Sequence, residues 1–109
     1  DFMRVKSYTK RKQGDIQITK DLETSIKGKH VYLVDDILDS GNTMKAVVEY
    51  LEVKHPASIS TVTLLTRKDS PFVTQKSYEA FTIDNEWVIG MGCDDEKGLN
   101  RNLRSIWAL

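Results

Sequence analysis

The stretch that decides the fold runs His30-Val31-Tyr32-Leu33-Val34-Asp35-Asp36-Ile37-Leu38-Asp39-Ser40-Gly41-Asn42-Thr43. Four β-formers, Val31 to Val34, end in two carboxylates. A third carboxylate, Asp39, follows, and then the small residues Ser40 and Gly41 mark a turn. Beyond the turn, Met44, Val47, Val48 and Leu51 recur at i, i+3, i+4 and i+7, with Lys45, Glu49 and Glu52 opposite. That period predicts an amphipathic helix ended near His55-Pro56, because the residue before a proline disfavours helical dihedrals. Ser58 to Thr66 is β-branched and reads as the next strand. Strand, helix and strand at this spacing predict a parallel βαβ unit. In open α/β sheets, ligands bind beyond the carboxyl ends of the strands, where a helix N-terminus can face an anion. The acidic groups and the turn sit at one such edge.

An acidic pair at a strand end is, by itself, ordinary solvated punctuation. Here an apolar strand, acid pair, spacer, acid, small residue, glycine, threonine and helix coincide in order, which favours a binding motif. The string resembles the signature of the type I phosphoribosyltransferases: four apolar residues, two acidic, two apolar, then Asp-Thr/Ser-Gly-x-Thr. Its chemistry suits a sugar with a 5-phosphate and a leaving group on the anomeric carbon. The amides of Asp39, Ser40, Gly41, Asn42 and Thr43 can wrap a phosphate as a backbone nest, helped by the Ser40 and Thr43 hydroxyls. Asp35 and Asp36, as acceptors, suit vicinal hydroxyls. Asp39, further on, can accept a proton or stabilise a developing cation. Other phosphate motifs are missing. The sequence has no G-x-x-x-x-G-K-S/T, and Gly90-Met91-Gly92 is followed by Cys93-Asp94-Asp95 instead of the remainder of a dinucleotide fingerprint.

With 109 residues, the chain is read as a single domain, 1–109. Hydrophobic residues make up 39% and charged residues 29%, an ordinary globular profile. Sixteen Lys and Arg balance sixteen Asp and Glu, so bulk charge gives no case for nucleic acid or an anionic membrane. There is no apolar run of transmembrane length. The one cysteine, Cys93, cannot form an internal disulfide and suits a reducing compartment, so a cytoplasmic location is expected. The chain opens at Asp1-Phe2-Met3 inside a predicted strand, and preceding sequence is therefore expected.

Phe2 to Tyr8 reads as that strand. Ser7 to Gly14 is polar and basic and reads as an exposed flexible loop. Asp15 to Thr19 alternates and reads as the returning strand of an antiparallel excursion. Tyr78 to Ile83, Trp87 to Met91 and Leu103 to Trp107 are predicted as further short strands. His30 and His55 flank elements without metal-ligand spacing and are read as structural.

The later segments are similar to the hypoxanthine-guanine branch of the same family. Asp1 to Tyr8 resembles its strand into the flexible catalytic loop, including Ser7-Tyr8, and Gly14-Asp15-Ile16 resembles the strand leaving it. Phe81 to Asp94 resembles F-x-I-P-D-x-F-V-V-G-Y-G-x-D, and Arg101-Asn102-Leu103 resembles the closing R-N/D-L. The resemblance implies an α/β fold, a mostly parallel sheet flanked by helices with an antiparallel flexible-loop excursion. It implies transfer of phosphoribose from phosphoribosyl pyrophosphate to N9 of hypoxanthine or guanine, and a homo-oligomer, dimer or tetramer. Asp35 and Asp36 would bind the ribose hydroxyls, and Asp39 would sit near the purine N7 as general base or stabiliser. Asp39 to Thr43 would hold the 5-phosphate. Trp87 would stack on the purine where the branch has Phe, with the Val88 backbone at the base edge. Asp94 would ligate Mg²⁺, Arg101 would meet the pyrophosphate, and Ser7 with Tyr8 would close over the reacting centre.

The sequence departs from the branch in three places. The lysine that donates to the purine 6-oxo group falls, by strict counting, on Arg67, with Lys68 one residue later; Lys68 is the residue assigned, and Arg67 is the alternative. The stretch Asp94 to Arg101 is one residue longer than usual. The family's N-terminal portion, with its short pyrophosphate-binding loop, has no counterpart here. That last departure keeps a second expectation open: a non-catalytic module of the same fold that senses a nucleotide or phosphoribosyl pyrophosphate.

Overall fold

The computed structural model describes residues 1–7, 16–71, 74 and 76–109. Tyr8, Gly14, Asp15 and the rest of the predicted loop lie outside the described residues, as does the side chain of Ser7.

The helical period of the sequence becomes α1 (Asn42–Glu52), and its buried residues are Met44, Val47, Val48 and Leu51, the four that carry the period. Each buried side chain of this size contributes about 1.5–3 kcal/mol, so this face anchors the helix. Gly41 precedes α1 with φ 76°, a left-handed conformation that a side chain would strain. Past the helix, His55 also takes a positive φ, 56°, and the chain turns before Pro56.

The helix crosses from β3 (His30–Leu38) to β4 (Ser58–Arg67), and β4 pairs in turn with β5 (Ser77–Ile83). Both pairings are parallel, with His30 opposite Ser58 and Thr61 opposite Ser77. β4 is central and the most covered, with Ser60, Thr61, Thr63 and Leu65 buried. Its hydroxyls are satisfied locally: Thr61 Oγ1 donates to Ser77 Oγ at 3.0 Å, and the Thr63 and Thr66 hydroxyls lie 2.7 Å apart. β3 is an edge strand that alternates, with Val31 and Leu33 half-buried and Tyr32 and Val34 exposed. The expected antiparallel excursion is the pair β1 (Arg4–Ser7) and β2 (Ile16–Lys20). A second antiparallel pair joins β6 (Val88–Ile89) to β7 (Trp107–Ala108).

Several boundaries differ from the sequence reading. β3 continues through Asp35 and Asp36 to Leu38, because pairing with Thr63, Leu65 and Thr66 continues alongside. An edge strand tolerates this, since both residues keep exposed surface even though the Asp35 carboxyl is partly withdrawn from water. The strand expected from Trp87 to Met91 stops at Ile89. Gly90 and Gly92, with φ 94° and 103°, fold the chain into a tight turn in which Gly90 and Cys93 exchange both backbone hydrogen bonds. Leu103 to Ile106 is likewise not strand: the Leu103 carbonyl accepts from Met91 N in this turn. One helix is found among the described residues, where the resemblance implies several.

Candidate active site

The acidic motif lies at the carboxyl end of β3, as the sequence predicts for a ligand edge. Asp35 and Asp36 curl back on their own strand: Asp36 N donates to Asp35 Oδ1 at 3.1 Å, and Ile37 N donates to Asp36 Oδ1 at 2.8 Å. Ser40 and Thr43 are exposed at the turn into α1, and Asn42 N lies 3.5 Å from Ser40 Oγ. Gly41 is buried, so the turn is held close to the body of the protein while its hydroxyls face outward. The first helical bond, Lys45 N to Gly41 O at 2.8 Å, leaves the preceding amides unclaimed by the helix and able to meet an anion.

Arg67, the last residue of β4, reaches across to this motif. Its Nε donates to Asp39 Oδ1 at 2.5 Å. Its Nη1 donates to the carbonyls of Asp84 and Glu86 at 2.7 and 3.1 Å. Lys68 lies elsewhere, with its side chain 71% exposed and its Nζ 3.9 Å from Asp84 Oδ1. Of the two cations weighed from the sequence, Arg67 is therefore the one beside Asp39. Adjacent residues leaving a strand project to opposite sides, which a count in sequence resolves only when the register is known.

The Asp84 to Glu86 segment leads directly to Trp87, whose indole is 46% exposed and whose Nε1 donates to the Asp94 carbonyl at 3.1 Å. The ring is thus tethered at its polar edge while the residue stays part-exposed. The Asp94 carboxylate is ion-paired with Arg101. The turn between them is organised by Asp95, whose Oδ1 accepts from Lys97 N and Leu99 N at 2.9 Å each and whose Oδ2 accepts from Asn100 Nδ2 at 2.9 Å. Two sets of polar contacts, one from Asp39 through Arg67 to the carbonyls of Asp84 and Glu86 and one from Trp87 through Asp94 to Arg101, are therefore joined by the backbone between Glu86 and Trp87. Val88, the next residue, is buried.

Burial and the neighbouring Asp36 charge together raise the Asp35 carboxyl above its ordinary value. The Cys93 thiol is also raised, first by burial and then by the negative charges of Asp36 and Asp94, so it stays a neutral thiol instead of a nucleophile. Among the described residues no cluster of three or more His, Cys, Asp or Glu could hold a metal by itself. A single carboxylate does fit Mg²⁺, which commonly takes one or two protein carboxylates and completes its shell with substrate phosphates and water. A cavity of about 870 Å³ between β1, β3 and α1 reaches Asp35 and Thr43, but Val5, Val31, Leu33, Val47 and Leu51 make most of its wall apolar.

A phosphoribosyl transferase domain model matches residues 1–96. The chain belongs to the phosphoribosyl transferase domain family. Among curated relatives of this family, the hypoxanthine-guanine phosphoribosyltransferase of Lactococcus lactis is 38% identical over 100% of this chain and 60% of its own length. That of Aquifex aeolicus is 40% identical over 98% of this chain and 61% of its own. A crystal structure of a hypoxanthine phosphoribosyltransferase from Staphylococcus aureus superposes with a TM-score of 0.88 at 38% identity, covering 100% of this chain and 60% of that one. The chain thus spans about 60% of the length of the relatives it matches. The architecture is that of the type I phosphoribosyltransferase fold.

Two contributors to the site, the backbone at 84–86 and Asp95, were not singled out from the sequence. The carbonyls of Asp84 and Glu86 carry no side-chain signal. Asp95 had one, since an Asp three residues before Gly98 marks a turn that its own side chain can stabilise.

Proposed function

We propose that the chain carries the catalytic domain of a purine salvage phosphoribosyltransferase, transferring 5-phosphoribose from phosphoribosyl pyrophosphate to N9 of hypoxanthine or guanine. The single observation that carries this reading is the pair of polar contact sets, joined by the backbone between Glu86 and Trp87, that links the acidic motif to the Trp87 segment at one end of the sheet. Asp35 and Asp36 bind the ribose hydroxyls, and the turn from Asp39 through Ser40, Gly41, Asn42 and Thr43 holds the 5-phosphate. The purine stacks on Trp87, with its edge at the Val88 backbone. Arg67, in preference to Lys68, faces the base. N9 forms its bond to the anomeric carbon as the bond to pyrophosphate breaks, and Asp39 accepts the proton released from N7. Arg101 receives the leaving pyrophosphate once its pair with Asp94 opens, and Ser7 and Tyr8 close over the centre. Asp94 would hold Mg²⁺, which when bound neutralises charge on the pyrophosphate. A homo-oligomer and a cytoplasmic setting belong to the same reading. No helix among the described residues is long and apolar enough to cross a membrane.

The test is calorimetric titration of the chain with phosphoribosyl pyrophosphate and Mg²⁺, followed by hypoxanthine or guanine in the same cell. Mg²⁺-dependent binding followed by nucleotide and pyrophosphate release is the expected result. Binding without nucleotide formation would favour the sensing module, and no binding would overturn the reading for this chain.

A further inference from the structure

We infer that Arg67 is a positioning residue for Asp39: its guanidinium fixes the carboxylate of the acidic motif against the backbone segment that leads into Trp87. The function of that arrangement rests on the proposed transferase activity, but the arrangement itself does not.

The geometry is that of a planar fork filled on two sides. Nε takes Asp39 Oδ1 at 2.5 Å, and Nη1 takes the carbonyls of Asp84 and Glu86 at 2.7 and 3.1 Å. Three acceptors on one rigid plane leave the guanidinium no freedom to rotate, so the backbone at 84–86 dictates where the Asp39 oxygen sits. Exposure agrees with that division of roles: the Arg67 side chain is 18% exposed and the Asp39 side chain 68%. The cation is the fixed member, and the carboxylate remains open to a ligand while it is held.

An ammonium could not do the same. It presents all its donors from one nitrogen, whereas these acceptors are spread along the guanidinium from Nε to Nη1. Lys68, one residue on, shows the contrast, reaching only Asp84 Oδ1 at 3.9 Å. The arrangement also couples two parts of the site that lie far apart in sequence. Any shift of the 84–86 backbone would be transmitted through Nη1 and Nε to Asp39. A proton acceptor must lie within hydrogen-bond reach of its proton, and misplacement by about 1 Å costs on the order of 100-fold in rate. Arg67 therefore acts on the purine side of the reaction and leaves the anchoring of ribose and phosphate to the motif.

The test has two arms. In ¹⁵N-labelled protein, the Arg67 Nε–Hε resonance is identified by its loss in Arg67→Lys and then followed in Asp39→Asn. A clear shift is expected, and an unmoved resonance overturns the inference. In the second arm, calorimetry with Mg²⁺ compares inosine 5′-monophosphate and phosphoribosyl pyrophosphate. Arg67→Lys should weaken the nucleotide about tenfold in the otherwise unaltered chain but less than about twofold in the Asp39→Asn background, and leave phosphoribosyl pyrophosphate within about twofold in both. Equal weakening of both ligands, or of neither, overturns it. If the unaltered chain binds neither ligand, the proposed function fails, and the resonance arm still decides the role of Arg67. Should Arg67→Lys not fold, direct assignment of the resonance and its comparison in Asp39→Asn decide the same question.

Discussion

The Tyr50 hydroxyl donates to Asp21 Oδ2 at 2.5 Å, tying the C-terminal half of α1 to the segment between β2 and β3. Lys54, one turn further along the helix, donates to the same oxygen at 2.8 Å and lies 4.7 Å from the centre of the Tyr50 ring. These contacts, Lys54 first, then Tyr50 and the Leu22 amide, lower the Asp21 carboxyl from its ordinary 3.8 to about 2. A depressed folded-state value means that the ionised carboxylate stabilises the fold. Its contribution is complete above about pH 4 and is lost as pH falls through about 2. Asp21→Asn should therefore lower the melting temperature at pH 7, with the two proteins converging as the pH approaches 2. Thermal melts across pH 2–7 check this, and a difference that persists unchanged at pH 2 would refute it.

Asp35 runs the other way. Burial and the Asp36 charge raise its carboxyl, so the ionised form is disfavoured in the folded state. The associated stability is present below the ordinary carboxylate range and is lost as pH rises through the raised value. Asp35→Asn should raise the melting temperature at pH 7, with less difference at pH 4. The same change should weaken Mg²⁺-phosphoribosyl pyrophosphate binding. Parallel melts and calorimetry at both pH values measure this trade of stability against binding.

Asp39→Asn retains shape but removes the proton acceptor. Turnover should fall on the order of 100-fold or more, with phosphoribosyl pyrophosphate affinity largely kept. Steady-state kinetics alongside calorimetry separate the two, and a variant with full turnover would show that the assigned role is wrong.

Gly90 has φ 94°, and a Cβ placed there would run into the carbonyl oxygen of Ser105. Gly90→Ala should cost at least about 2 kcal/mol, combining a disfavoured dihedral with a backbone clash. Because the same turn carries the chain to Asp94, the variant should also lose Trp87 order. Urea denaturation gives the first quantity, and near-UV circular dichroism gives the second.

Where local chemistry is periodic, the sequence was a sufficient guide. Met44, Val47, Val48 and Leu51 had to face inward on a helix, and the β-branched run from Ser58 had to be a strand. The acidic motif could be read because its residue types follow one another without interruption. What could not be read depended on partners distant in the chain. Asp35 and Asp36 lie inside β3 because Thr63 and Leu65 continue the pairing, which the run of residues from Val31 does not announce. Arg67 rather than Lys68 faces Asp39 because of the register of β4 between its neighbours. The extra residue between Asp94 and Arg101 was visible as a count, but its stabilisation by Asp95 appears only once Leu99 and Asn100 fold back on that carboxylate.

The parallel course of β3 and β4 also bears on how the chain reaches its native state. His30 meets Ser58 only across the full helical crossover, so no tight hairpin can nucleate this sheet. Loop closure has to precede the contacts that reward it, which is the slow route for a small domain. The ion pair between Asp39 and Arg67 spans that same crossover and closes at its far end. It can therefore serve as a late reporter in refolding: until it forms, Asp35, Asp36 and the phosphate turn are a string of solvated polar groups attached to an apolar segment that is still searching for its neighbour.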